Sequence, residues 1–259
     1  MRIFVILTLT ILLIPQILLA EKMSGISLGT GIVFPSGNSA ILLNPSGIFR
    51  KGSNILGEVI AGIPVGDNNG LDFTGSVVAG NERIAGGAEF DYIDTGSASA
   101  KSLTGALAFG VSTVSIGGNF SYNIDSKGYD FDAGLTWDFA GNFSLGVLTT
   151  NLKGGPDAIY GGLGFRDARF YVEGDVGYFI EGSGTTLYFS FGGGITLVPK
   201  LTITAGYRFL YVKPETGDSD ITGNDIFAGI YYQLTDMIGL EGRYNYSPAE
   251  FTAGATLAF

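Results

Sequence analysis

The chain has 259 residues, with 14 Lys and Arg against 24 Asp and Glu, 42 Gly, no His and no Cys, for a net charge of −10. That acidity excludes nucleic acid as a partner, the missing His excludes Ser-His-Asp and Cys-His catalysis and His-ligated metals, and the missing Cys excludes disulfides and a cysteine-borne lipid anchor. The reading is of a non-enzyme with no cofactor and no metal site.

Residues 1–20 carry one cation, Arg2, then an apolar run from Ile3 to Leu19 interrupted by Thr8, Thr10, Pro15 and Gln16, and end on the small Ala20. This is the pattern of a secretory signal peptide, with cleavage expected before Glu21. A retained membrane helix is the alternative, but the run is short and broken by Pro15. Arg2 is the one charge removed, so the remainder carries 13 cations against 24 acids, a net charge of −11. From Glu21 to Ser53, Gly25, Gly29, Gly31, Pro35, Gly37, Pro45 and Gly47 punctuate the chain, and no long element is expected.

After Ser53, apolar and polar residues alternate to the last residue. Fourteen candidate strands follow, with twelve as the alternative count: Asn54–Val65, Leu71–Ala79, Arg83–Ile93, Leu103–Val111, Val114–Ile124, Tyr129–Phe139, Phe143–Thr150, Ala158–Phe165, Ala168–Ile180, Thr185–Val198, Leu201–Val212, Ile226–Leu234, Ile238–Tyr246 and Glu250–Phe259. Most approach the ~9–11 residues that a tilted strand needs to cross a bilayer. With 19 Phe, 13 Tyr and only 15% charged residues, hydrophobicity spread over alternating tens predicts an all-β fold, a transmembrane antiparallel up-and-down β-barrel at 54–259.

The connections alternate too. Gly80–Glu82, Ser112–Thr113, Gly141–Asn142, Arg166–Asp167, Pro199–Lys200 and Thr235–Asp236 are minimal turns, whereas Gly66–Gly70, Thr95–Lys101, Asn151–Asp157 and Lys213–Asp225 are longer. Short periplasmic turns opposite longer external loops put both ends of the barrel in the periplasm. In Tyr129–Phe139, one face reads Tyr129, Phe131, Ala133, Leu135, Trp137, Phe139 and the other Asp130, Asp132, Gly134, Thr136, Asp138. No charge falls on the apolar face of any candidate strand, which is the reverse of a soluble barrel and is what lipid exposure requires. On that face Tyr92, Tyr122, Tyr129, Tyr178, Tyr211 and Tyr246 gather near the external loops, and Phe139, Phe143, Phe165, Phe170 and Phe259 near the short turns, as two interfacial girdles.

The polar face is expected to line the lumen with Glu58, Asp72, Glu89, Asp91, Asp130, Asp132, Asp138, Glu173, Asp175 and Glu241, and with Arg83, Arg169, Arg208 and Arg243. Their commonest role is cross-strand pairing that fills a polar interior. Glu215, Asp218, Asp220 and Asp225 make an acidic external loop that does not match a calcium-loop pattern and is expected to be solvated.

Two stretches carry a family resemblance. Thr252, Gly254, Leu257 and Phe259 resemble the C-terminal strand by which bacterial outer-membrane barrels present an assembly signal, which implies the barrel-assembly machinery and outer-membrane lipid as partners. Asn44-Pro45-Ser46-Gly47 resembles the Asn-Pro-Ala-Gly type motif in the N-terminal plug of the long-chain fatty-acid transporter (FadL-like) outer-membrane proteins, with Ser46 in place of Ala. The resemblance implies that 21–53 is a plug segment inside the barrel near its periplasmic side, that the function is passive transport of hydrophobic small molecules, and that a kinked early strand leads to a lateral exit. Gly86-Gly87 is the candidate kink. An acidic lumen departs from that pattern and leaves a small cation-favouring diffusion channel as the alternative, with a structural or surface-interaction barrel as a third reading.

Overall fold

A computed structural model describes residues 31–35, 37–48, 54–64, 70–81, 83–94, 99–180, 184–214, 219–246 and 249–259. The signal-peptide reading of 1–20 lies outside the described residues, as do 21–30 of the N-terminal segment. Alternation of small polar and bulky apolar residues folds as fourteen strands: β1 (Asn54–Pro64), β2 (Asp72–Gly80), β3 (Ile84–Asp94), β4 (Ser99–Val111), β5 (Val114–Asn123), β6 (Tyr129–Phe139), β7 (Phe143–Thr150), β8 (Ala158–Arg166), β9 (Phe170–Phe179), β10 (Gly184–Val198), β11 (Leu201–Pro214), β12 (Asp220–Gln233), β13 (Ile238–Tyr246) and β14 (Ala249–Ala258). Each pairs antiparallel with its chain neighbours, and β1 pairs with β14 from Leu56↔Ala258 to Pro64↔Glu250, which closes the barrel. Closure leaves no unpaired edge, the condition a sheet must meet where no water is available to hydrogen-bond its backbone.

The two faces separate by chemistry. Leu107, Phe109, Ile116, Phe131, Trp137, Leu163, Val172, Phe191 and Ile230 are each 41–57% exposed on the outside, while Glu58, Glu89, Thr104, Asn119, Glu173 and Thr204 are buried on the inside. Apolar out and polar in is stable only where the surroundings are apolar. Among the described residues no helix is long and apolar enough to cross a membrane. At the short-turn end Phe139, Phe143, Phe165 and Phe170 run round the wall in successive ring contacts of 6.2, 5.0 and 5.6 Å, with Trp137 5.1 Å from Phe139.

Three expectations change. The long loop predicted over Lys213–Asp225 is largely strand, because β11 runs on to Pro214 and β12 begins at Asp220, with a register shift between Arg208 and Leu210 absorbing the extra residue. These longer strands and β4 carry Lys213 and Lys101 onto outward-facing positions at their external ends, where Lys101 lies 5.9 Å from the centre of the Tyr92 ring. Their long stems let the ammonium groups reach the headgroup layer, so charge is absent from the middle of the outer face but not from its rim. Finally, Gly86-Gly87 is no kink: β3 keeps an unbroken register with β2 and β4 through both glycines.

Candidate functional site

Inside the ring, 31–35 and 37–48, the latter folded as the short turns Gly37–Ser39, Ala40–Leu43 and Pro45–Ile48, lie against the inward faces of β1 to β9 toward the short-turn end. Hydrogen bonds fix their position. Asn44 donates from Nδ2 to the Ile32 carbonyl (2.9 Å) and accepts from Ser46 Oγ (2.7 Å), while Ser46 Oγ also shares a 2.6 Å bond with Thr136 Oγ1 of β6. Asn119 of β5 donates to the Ile41 carbonyl (2.8 Å), and Asn38 donates to Ser76 Oγ of β2 (2.8 Å). The carboxylate of Glu173 on β9 accepts the backbone N–H groups of both Val33 (3.1 Å) and Phe34 (3.0 Å), a charge-assisted pair that satisfies two buried donors at once.

The close approach depends on glycine. A Cβ at Gly87 would press on Ile41, at Gly117 on the Pro45–Ser46 backbone, at Gly134 on the Asn44 side chain, at Gly146 on the Ile32 carbonyl, and at Gly162 and Gly164 on Val33 and Phe34. These inward glycines form a bed for the segment. Two apolar clusters result: Ala40, Ile41 and Ile48 with Val78, Ala85 and Ala108, and Ile32, Val33 and Phe34 with Leu148, Tyr171 and Tyr160.

The charged residues divide around the ring. Asp91 of β3 accepts from Thr74 and Ser102 (2.8 and 3.3 Å), Asp132 of β6 accepts the Asn151 N–H (3.0 Å), Asp72 of β2 accepts the Asp94 N–H (3.1 Å), and Asp138 accepts from Ser144 (2.5 Å). Asp130 is half-buried on the same face of β6. Glu58, Glu89, Glu173, Asp175 and Glu241 are buried. Across the barrel, Arg208 of β11 pairs with Asp225 of β12 at 2.6 Å, and Arg243 of β13 donates to Asn245 (2.9 Å) with its guanidinium 4.2 Å from the centre of the Phe227 ring. Arg169 is a correction: it lies exposed in the turn between β8 and β9, with its carbonyl accepting from Thr196, because β9 starts one residue after it. Arg83 is likewise exposed in the turn before β3.

The inward cation that pattern reading missed is Arg166, the last residue of β8, stacked 4.3 Å from the Phe34 ring and 5.6 Å from Tyr171. Extending the inner alternation Gly162, Gly164 by one step reaches it. Asp225, expected in a loop, belongs to β12 because the strand continues through the register shift opposite Arg208 and Leu210. At the seam, Thr252 and Gly254 face inward, with Gly254 buried where a Cβ would meet the Glu241 carboxylate, while Leu257 sits opposite Ile238 on the outward row and Phe259 exchanges both backbone hydrogen bonds with Ile55 (2.8 and 3.2 Å).

No family model matches the chain, and no curated protein matches it. Solved structures of the same fold include the Ralstonia pickettii toluene transporter TbuX (14% identical, covering 92% of this chain and 97% of that one, TM-score 0.59), the CymD monoaromatic hydrocarbon channel (13%, 90% and 96%, 0.58) and the Acinetobacter baumannii outer membrane protein Omp33 (10%, 80% and 98%, 0.58). At these identities the likeness is one of fold: this chain shares the closed β-barrel of bacterial outer-membrane proteins that include hydrocarbon channels.

Proposed function

We propose that this protein is an outer-membrane barrel for passive passage of apolar small molecules, with the N-terminal segment acting as a plug that closes the lumen to ions. The observation that carries the reading is the apolar cluster of Ile32, Val33, Phe34, Leu148, Tyr171 and Tyr160. The cluster fills this part of the lumen with packed apolar side chains where a water-filled pore would keep a polar path, and at its half-buried margin, Tyr160, an apolar solute leaving water gains about 25 cal/mol for each Å² it buries. Asn44-Pro45-Ser46-Gly47 then serves as a structural knot: all but Gly47 are buried, and Asn44 and Ser46 bond to each other before they bond to the wall. The test is uptake of the apolar dye N-phenylnaphthylamine by cells with an intact lipopolysaccharide layer. Expression of the chain should speed dye entry without admitting a hydrophilic dye of similar size; unchanged dye entry would contradict the proposal.

A cation-favouring channel is the second reading, favoured by Asp72, Asp91, Asp130 and Asp132, which remain half-buried toward the external loops. Carboxylates in a lumen of low dielectric raise local cation concentration. It requires a continuous water path past residues 31–48, and conductance separates the two.

A further inference from the structure

The external half of the lumen is not uniformly acidic. Tyr160 of β8, Gly177 of β9 and Tyr188 of β10 lie in one row across three strands, since Gly177 pairs with both tyrosines, and all three point inward. Because Gly177 has no side chain, the Tyr160 ring falls over it, in the space a Cβ would need, and meets Tyr188 edge to face at 5.7 Å and 79°. Phe179, two residues further toward the external end, meets Tyr160 edge to face at 6.1 Å and 78°. The rings are half-buried, so part of each still faces the lumen. Below them the same wall continues into the cluster around Val33 and Ile32, against which Tyr160 packs. Beside them, Arg208 sits opposite Ser190 on the inward row next to Tyr188, with a side chain 31% exposed.

We propose that Tyr160, Tyr188 and Phe179 form a binding slot for an uncharged planar aromatic molecule carrying a hydroxyl, a phenol-like solute, at the entrance to the apolar path. The proposal rests on the passive-transport reading and names its solute class. Tyr188 and Phe179 each stand nearly at right angles to Tyr160, so the group offers both faces and edges, which a planar ring matches by offset or edge-to-face contact and a saturated ring or acyl chain does not. The tyrosine hydroxyls and the Arg208 donors supply partners for one polar substituent. Anions are disfavoured: inward-facing carboxylates outnumber inward-facing arginines among the described residues, and Arg208 is already matched by Asp225. The lumen thus discriminates against a fatty-acid carboxylate while leaving a neutral aromatic unopposed.

The test is calorimetric binding to the full chain in detergent, with p-cresol, its saturated counterpart 4-methylcyclohexanol, and decanoate as probes. The expected order is p-cresol tightest, with 4-methylcyclohexanol about fivefold or more weaker and decanoate weakest. Tyr160→Leu and Tyr188→Leu, which keep apolar bulk and remove the aromatic face, should each weaken p-cresol roughly five- to tenfold and leave 4-methylcyclohexanol unchanged. Tyr160→Phe should restore most of the affinity, and heat-modifiable migration shows that each variant is folded. A purely structural role for the trio, propping the sheet over Gly177, predicts equal loss for both probes and would overturn the inference. Decanoate or 4-methylcyclohexanol binding as well as p-cresol would overturn it while leaving passive transport standing. No binding of any probe would overturn both.

Discussion

Replacing Gly117 by alanine tests how closely the N-terminal segment is seated. A Cβ at Gly117 would lie 2.5 Å from the Pro45 carbonyl carbon, 2.6 Å from the Ser46 nitrogen and 2.7 Å from the Pro45 oxygen. Carbon atoms in contact want about 3.5–4.0 Å, and the obstacle is backbone, so Pro45–Ser46 must move off the wall by about 1 Å. Overpacking of this kind costs about 1–3 kcal/mol. The shift also breaks the 2.6 Å bond between Ser46 and Thr136, worth about 0.5–1.5 kcal/mol. A combined loss of about 3 kcal/mol raises the population of the unseated segment roughly a hundredfold. The chain has no cysteine, so Ala40→Cys, at a position 0% exposed, gives a single reporter thiol. Maleimide labelling of that thiol in the folded barrel should accelerate by that factor when Gly117→Ala is added. Gly105→Ala, whose Cβ would meet nothing within 4 Å, should leave the rate alone. Equal labelling with and without Gly117→Ala, in barrels that stay heat-modifiable, would refute the seating.

Glu173→Gln removes the charge from two bonds to the Val33 and Phe34 amides and should speed labelling of the same reporter by about tenfold, given ~1.5–3 kcal/mol for bonds to charged groups; no change would mean the carboxylate does not hold the segment. Arg208→Gln should lower the unfolding midpoint only slightly, because the guanidinium is partly exposed and its pair with Asp225 is screened, and Arg208→Gln with Asp225→Asn should recover most of the loss; additive losses would show that the pair is not coupled. Trp137, the single tryptophan, is 45% exposed on the outer face, so brominated lipid should quench its fluorescence and aqueous acrylamide should not. Phe259→Ala keeps the backbone bonds to Ile55 but removes the terminal aromatic ring, and should reduce the heat-modifiable fraction in the membrane if that ring is part of the assembly signal; unchanged abundance would count against that role.

The barrel was legible because lipid imposes a strict period of two: Tyr129, Phe131, Leu135 and Trp137 cannot trade faces with Asp130, Asp132 and Thr136 without placing charge in the bilayer. The β11–β12 hairpin was misread since Thr222, Gly223 and Asn224 look like a turn, and only the bulge against Arg208 and Leu210 lets the strand pass through them. Arg169 and Arg166 exchanged places for a similar reason, as strand ends are set by pairing with both neighbours and not by local pattern. Glycine was harder still. Gly87 reads from sequence as part of a kink and Gly117, Gly134, Gly162 and Gly164 carry no signal of their own, and their use as a bed appears only when the N-terminal segment comes to rest on them. The aromatic row across Gly177 joins three strands, so no single stretch of sequence contains it.

Planar-bilayer recording from the intact chain tests the central claim most directly, that residues 31–48 close the lumen to ions while an apolar path remains. Little steady current is predicted for the parent chain, with intermittent openings for Gly117→Ala as the segment lifts from its bed. Steady, cation-selective conductance from the parent, weakening as salt screens the acidic wall, would contradict the account and establish the channel reading in its place.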